Sequence, residues 1–251
     1  MSLTRRAALG AAMAMSAIST RPATAETPLR PLADGFTSGG KPITVEWFLA
    51  PQGGRRPGVI MLHGADGLGP NGERYRAGAR AVASQGYHVA LVHYLDRTDE
   101  RRASFATLFR NFTPWLDTLS DAITYVAKRP EVDASRIGVV GISLGAALAL
   151  SAAVDDKRIK AVVDYFGPLP QPVAAAARRL PPTLVLHGAS DPVVPVANAH
   201  SLRELLEAGG VPHEVMIYPG QGHGLWGEAS EDASRRVAAF LNRYLAGSAR
   251  S

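Results

Sequence analysis

Short, continuously apolar runs recur along this chain, separated by segments of helical length, and that alternation leaves few folds open. Val59-Ile60-Met61-Leu62, Val89-Ala90-Leu91-Val92 and Ile137-Gly138-Val139-Val140 are three such runs. A strand covered on both faces reads this way, whereas a strand with one wet face alternates. Ile159 to Val163, Thr183 to Leu186 and Glu214 to Tyr218 continue the series, and Ile43 to Leu49 opens it with apolar–polar alternation. Between them Glu73 to Ser84, Leu116 to Lys128, Leu144 to Val154, Val196 to Ala208 and Ala229 to Leu245 read as helices. Strands linked by helices of this length imply right-handed crossovers, so the expected fold class is α/β: a mostly parallel twisted sheet with helices on both faces. No internal repeat or long linker divides the chain, and residues 26–251 are expected to form a single domain.

The first 25 residues read as an address rather than as fold. Arg5–Arg6 precede an apolar stretch from Ala7 to Ile18, and Ala23-Thr24-Ala25 offers a small-x-small cleavage site before Glu26. Thr4-Arg5-Arg6-Ala7-Ala8-Leu9 resembles a twin-arginine export signal, which implies a periplasmic or secreted product. A membrane span needs about 20 apolar residues, and Ser16, Ser19, Thr20, Arg21 and Pro22 end this stretch too early for a stable anchor. Glu26 to Gly40 is expected to be an extended lead-in.

The formal charge of +5 is inflated by that segment; without it 24 basic groups face 22 acidic ones. Such a balance is not the footprint of a nucleic-acid binder. The chain has no cysteine, so a thiol nucleophile and thiolate metal sites are excluded. There is no H-E-x-x-H, and the seven histidines lack metal-ligand spacing, so no metal is expected.

The chemistry concentrates at Gly141-Ile142-Ser143-Leu144-Gly145, a G-x-S-x-G between a buried strand and an Ala-rich helix. A serine on a sharp strand-to-helix turn has its hydroxyl exposed, and the flanking small residues let strand and helix approach closely. The helix N-terminus also turns backbone N–H groups towards developing negative charge. A serine hydroxyl is a weak nucleophile and needs a base. His223, in the glycine-rich run Tyr218-Pro219-Gly220-Gln221-Gly222-His223-Gly224 after the last strand, is the histidine best placed to swing over the sheet. His88 and His93, at the start and near the end of a strand, read as packing or surface groups; His63 and His187 precede Gly at strand ends, His200 lies within a helix and His213 in a turn.

The acid that orients the imidazolium is expected to be Asp191, in a loop directly after a strand. Asp164 is the rival, inside an apolar strand run. Two backbone N–H groups should complete an oxyanion hole: that of Leu144, and one from His63-Gly64-Ala65-Asp66-Gly67, with Ala65 favoured and Gly64 as the alternative. Tyr94, Phe166 and Trp226 each follow a strand on this side and are candidates to line a substrate pocket. Arg97 to Pro114 and Gly167 to Pro182 fit the alternation poorly; as a lid or as plain surface crossovers, they lie where open α/β sheets bind ligands.

Taken in order, L-H-G-A-D-G, G-I-S-L-G, L-H-G-A-S-D-P-V-V-P and Y-P-G-Q-G-H-G-L resemble the dienelactone hydrolase family over roughly Val45 to Leu245. The resemblance implies an α/β-hydrolase fold and cofactor-free hydrolysis of a small ester or lactone, with Ser143, Asp191 and His223 as catalytic triad. The family's namesake carries a cysteine where this chain has Ser143, which moves the expectation towards a general serine esterase or lactonase.

Two other classes compete. Gly67-Leu68-Gly69-Pro70-Asn71-Gly72 spells G-x-G-x-x-G, with Asp96 about 24 residues on, as in an NAD(P)-binding oxidoreductase. Four residues separate the strand from these glycines, however, and Pro70 stiffens the place where backbone would meet phosphate. A non-catalytic exported binding protein on the same fold is the other alternative.

Overall fold

The computed structural model describes residues 31–246. The expected export signal at residues 1–25 lies outside them. Among the described residues no helix is long and apolar enough to cross a membrane.

Eight strands form one sheet in the order β1-β2-β4-β3-β5-β6-β7-β8. They are β1 (Leu32–Ser38), β2 (Lys41–Phe48), β3 (Arg56–Leu62), β4 (His88–Val92), β5 (Val132–Ile142), β6 (Ile159–Tyr165), β7 (Thr183–Gly188) and β8 (His213–Tyr218). The first three in sheet order pair antiparallel and the remainder pair parallel. The helices are α1 (Gly72–Ser84), α2 (Phe105–Ala127), α3 (Leu144–Asp155), α4 (Gln171–Ala176), α5 (Ala197–Ala208) and α6 (Glu228–Leu245).

Side-chain alternation along the parallel strands divides the core into two layers. Ile60, Leu62, Val139, Val162 and Val185 face α2, α3 and α5, while Val59, Met61, Val140, Val163 and Leu184 face α1 and α6. The chain leaves β3 towards β4 and then returns to lay β5 on the other side of β3. The carboxyl ends of β3 and β5 thus flank the topological switch point, where crevices in open α/β sheets form.

Two expectations need correction. The lead-in before Gly40 contains β1, which pairs residue for residue with β2 through a Gly39–Gly40 turn, both glycines at positive φ. Its segment Leu-Ala-Asp-Gly-Phe-Thr-Ser is an exposed edge and carries no apolar period. The helix expected from Leu116 starts eleven residues earlier, at Phe105, and continues through Pro114. A capping box between Ser104 and Thr107 starts it, and burial of Trp115, Leu119, Ile123 and Val126 holds its second half against the sheet. That packing outweighs the hydrogen bond that Pro114 cannot donate.

Candidate active site

β5 ends in a turn that only glycines permit. A β-carbon on Gly141 would lie 2.4 Å from the Cα of Ala146, and one on Gly145 would lie 2.5 Å from the carbonyl oxygen of Leu62. With these side chains absent, α3 begins immediately at Leu144, and Ser143 between them takes φ 55° and ψ −115°. A non-glycine residue in that sparsely populated region stores strain, of order 1–3 kcal/mol, which the surrounding packing must hold. The turn is fixed by Ser143 N–H donating to Tyr165 O at 2.8 Å.

His223 meets this serine from the loop after β8. Its Nε2 lies 3.0 Å from Ser143 Oγ, and its Nδ1 lies 2.7 Å from Asp191 Oδ2. An ionised carboxylate only accepts, so Nδ1 carries the proton towards Asp191 and Nε2 is left to accept from the serine hydroxyl. Phe166, itself at φ 44°, packs its ring 5.1 Å from the imidazole.

The Asp191 side chain is buried, and its other oxygen accepts the N–H groups of Val193 (2.8 Å) and Val194 (2.9 Å). Burial pushes its pKa up, but the bonds from His223 and the two backbone donors prevail and hold it below the ordinary carboxylate range. The rival Asp164 is fully buried in β6, where among the described residues its carboxyl accepts only Gly167 N–H, at 2.7 Å. Burial raises its pKa to about 7. The structure brings Asp191, not Asp164, to His223.

Ala65 lines the same cavity as Ser143. Neither the Ala65 nor the Leu144 N–H has a hydrogen-bond acceptor among the described residues. Gly64 N–H, in contrast, donates to the Tyr75 hydroxyl at 3.1 Å, which in turn donates to Asp66 Oδ1 at 2.6 Å. Of the two glycine-loop candidates, Ala65 therefore keeps the free donor.

Three groups were hidden from sequence reasoning. Tyr75 tethers the glycine loop from α1, as just described. His187 is buried, and its Nε2–H donates to Val194 O (2.9 Å) while lying 3.5 Å from Asp191 Oδ2, so it braces the acid's loop. Its place four residues before Asp191 in L-H-G-A-S-D was the available signal. His63 does the same after β3, with Nδ1–H donating to Gly64 O at 2.8 Å; burial lowers its pKa to about 4, so it is neutral.

The cavity beside Ser143 encloses about 920 Å³. Phe166 lines it, as expected. Tyr94 does not: it is fully buried behind the glycine loop, stacked on His63 at 4.3 Å and donating to His63 O. Nor does Trp226, which is 61% exposed and lies under the Arg74 guanidinium at 4.0 Å. Both follow strands, but Tyr94 is packed beneath the glycine loop and Trp226 lines a separate surface depression with Tyr218 and Gln221. From the two irregular stretches only Arg102 reaches the cavity wall among the described residues. The G-x-G-x-x-G run contains a turn closed by Gly72 N–H donating to Gly69 O, and Asp96 accepts Thr44 N–H, so that carboxylate is engaged with β2.

Relatives agree with this architecture. A "Putative carboxymethylenebutenolidase" of Methylorubrum extorquens is 23% identical over 96% of this chain and 94% of its own length. A crystal structure titled "Putative Dienelactone Hydrolase" from Klebsiella pneumoniae superposes with a TM-score of 0.75 at 22% identity, covering 85% of this chain and 98% of the other. The dienelactone hydrolase-like promiscuous phosphotriesterase P91, from metagenomic libraries, gives a TM-score of 0.72 at 21% identity over 85% and 98%. At these identities the superpositions speak for the fold. The sequence profile of the dienelactone hydrolase family matches residues 46–245. This chain is therefore a member of the dienelactone hydrolase family and a hydrolase of the α/β-hydrolase type.

Proposed function

We propose that the protein is a serine hydrolase that cleaves carboxylic esters or lactones through an acyl-enzyme. The observation that carries this reading is the unbroken chain from Ser143 Oγ to His223 Nε2 (3.0 Å) and from His223 Nδ1 to Asp191 Oδ2 (2.7 Å). In this reading His223 takes the hydroxyl proton as Ser143 Oγ bonds to the substrate carbonyl carbon. The oxyanion that forms is held by the N–H groups of Ala65 and Leu144. Asp191 stabilises the imidazolium without taking its proton. The tetrahedral adduct collapses by breaking the carbon–oxygen bond of the ester, and His223 delivers its proton to the departing alkoxide. Water then repeats the sequence on the acyl-serine, with His223 as base and Ser143 as leaving group.

Ser143 stands where the family's namesake uses cysteine. A hydroxyl needs its base more than a thiol does, and the close His223 contact supports a serine in this role. The test is turnover of p-nitrophenyl acetate or butyrate by the chain without its first 25 residues, with and without EDTA. Metal-independent hydrolysis and covalent labelling of Ser143 by a fluorophosphonate are expected. Activity lost on chelation and restored by Zn²⁺ or Mg²⁺ would overturn the mechanism.

A further inference from the structure

The cavity at Ser143 does not end there. It continues as a groove over the sheet, away from the serine, between α1 and α6. The cause lies in where these helices rest. α1 packs on β4 and β2, and α6 packs on β5, β6 and β7, so β3 runs beneath the gap. Where the helices face each other across the groove they carry small residues, Ala77, Gly78 and Ala81 on one side and Ala233, Ser234 and Ala238 on the other. Met61 and Val140, on β3 and β5, line the floor, and Tyr87, just before β4, lines the part furthest from the serine.

Polarity changes along this groove. The charged side chains that line it, Asp66, Arg74 and Arg102, belong to the glycine loop, the first turn of α1 and the segment packed on that loop, together with His223 at the serine. Beyond Tyr75 and Ser230 the lining carries no charge. Tyr87 immediately precedes His88, which is in register with Gly58 and, through it, Ile137. From the level of Ile137 to Ser143 is six residues of β5, about 20 Å at ~3.3 Å per residue. An extended hydrocarbon advances about 1.25 Å per carbon, given its bond lengths and angles, so the groove has room for roughly sixteen carbons.

We infer that this groove is an acyl-chain site, and that the substrate class of the Ser143 centre is esters of long, linear fatty acids. The inference rests on the serine-hydrolase reading for its chemistry, but not for the binding of the chain. A long groove that starts at the nucleophile and is lined without charge beyond Tyr75 and Ser230 fits an unbranched tail. A compact ring such as a small lactone would leave most of it empty. Full burial of a methylene favours binding by about fourfold; a groove open along one side should give part of that per carbon.

The experiment is a kcat/KM series on p-nitrophenyl esters from C2 to C16, repeated with two plugs at different depths. A β-carbon on Gly78 meets only the flexible end of Met61, Cε at 3.8 Å and Sδ at 4.0 Å, so the first atom of the Gly78→Leu side chain is accommodated next to the groove floor. The substitution also removes a helix-weakening glycine. Ala81→Leu sits one turn further from the serine. For the unaltered protein, C12 should exceed C4 by at least about tenfold, a fraction of the full-burial limit. Gly78→Leu should lower that C12:C4 ratio about tenfold, and Ala81→Leu should move the fall to longer chains. A destabilised fold would depress all chain lengths alike and leave the ratio intact. A profile flat or falling beyond C4, or a ratio indifferent to both plugs, would overturn the inference. Calorimetric titration of Ser143→Ala with sodium dodecanoate separates this failure from failure of the hydrolase reading. Saturable binding that Gly78→Leu abolishes supports the groove even without turnover, and its absence overturns it.

Discussion

A β-carbon on Gly188 would lie 2.2 Å from the carbonyl oxygen of Gly222, so the end of β7 and the loop bearing His223 touch backbone to backbone. Ser190 N–H donating to Gln221 O at 2.9 Å and Ala189 N–H donating to Tyr218 O at 2.9 Å tie the same two segments together. The acid and the base are thus set against each other by main chain, and a glycine is what lets them meet.

Gly188→Ala should therefore push the His223 loop outward. Misplacing a reacting group by about 1 Å can cost roughly 10²-fold in rate, so kcat on a short p-nitrophenyl ester should fall by about that factor while the protein stays folded by circular dichroism. A folded variant with unaltered kcat would show that the loop absorbs the methyl group without moving the imidazole.

Tyr75→Phe removes one hydroxyl and two hydrogen bonds. Gly64 N–H loses its acceptor, and Asp66 loses the donor on Oδ1 while Asn71 Nδ2 still donates to its Oδ2, next to the loop that presents Ala65. One such backbone bond is worth about 0.5–1.5 kcal/mol, so a drop in kcat of about tenfold at little-changed KM is expected. A change confined to KM would move Tyr75 from holding the loop to contacting substrate.

Asp164 makes a prediction about stability rather than turnover. Its pKa is raised by burial to about 7 in the fold, against ~3.9 in an unfolded chain. Between those values the native state keeps a proton that the unfolded state has shed, so stability falls as pH rises from about 4 to 7 and the penalty is complete above that range. Three pKa units correspond to about 4 kcal/mol. Asp164→Asn should flatten this part of the pH–stability curve and raise the urea midpoint at pH 8. An unchanged slope between pH 4 and 7 would mean that the carboxyl is ionised throughout.

The fold and the groups around Ser143 were legible in the sequence to different depths. Buried strands announce themselves by composition, because both faces are dry, and Val59 to Leu62 or Ile137 to Val140 could hardly be anything else. The serine, Asp191 and His223 could be singled out because each sits in a turn after a strand with glycine close by. β1 could not, since an exposed edge strand needs no apolar face, and the first half of α2 was hidden by Pro114 and by Phe105 and Phe109, which face solvent and give no core-facing stripe. Ring directions were the least legible. Tyr94, Phe166 and Trp226 each follow a strand, yet of the three only Phe166 reaches the cavity. The dihedral angles of a few turn residues decide that, and composition does not report them.

The amino terminus offers a test independent of the fold. If Arg5 and Arg6 form a twin-arginine signal, Lys–Lys in their place should leave uncleaved precursor in the cytoplasm of a host with that pathway. Efficient export of the altered chain, read by fractionation, would assign it to the general secretory route.

The last prediction treats Ser143, His223 and Asp191 as one device. Ser143→Ala should abolish nearly all turnover, and His223→Ala should cost about as much, because the hydroxyl cannot shed its proton without the Nε2 it faces at 3.0 Å. In another serine hydrolase such losses are about 10⁶-fold in kcat, and loss of the acid alone about 3 × 10⁴. Asp191→Asn should also be severe: an amide NH₂ facing Nδ1 favours the tautomer that puts the proton on Nε2, pointing at the serine. Its backbone acceptor role towards Val193 and Val194 survives in the amide oxygen, so the loop and the fold should persist. The double variant Ser143→Ala/His223→Ala should be hardly worse than either single one, with a residue of catalysis left to the N–H groups of Ala65 and Leu144. Losses that add on the logarithmic scale would mean that serine and histidine act independently. A folded Asp191→Asn protein with full activity would remove the acid from the mechanism, and Asp164, whose carboxylate is turned to Gly167, could not replace it without rearranging β6.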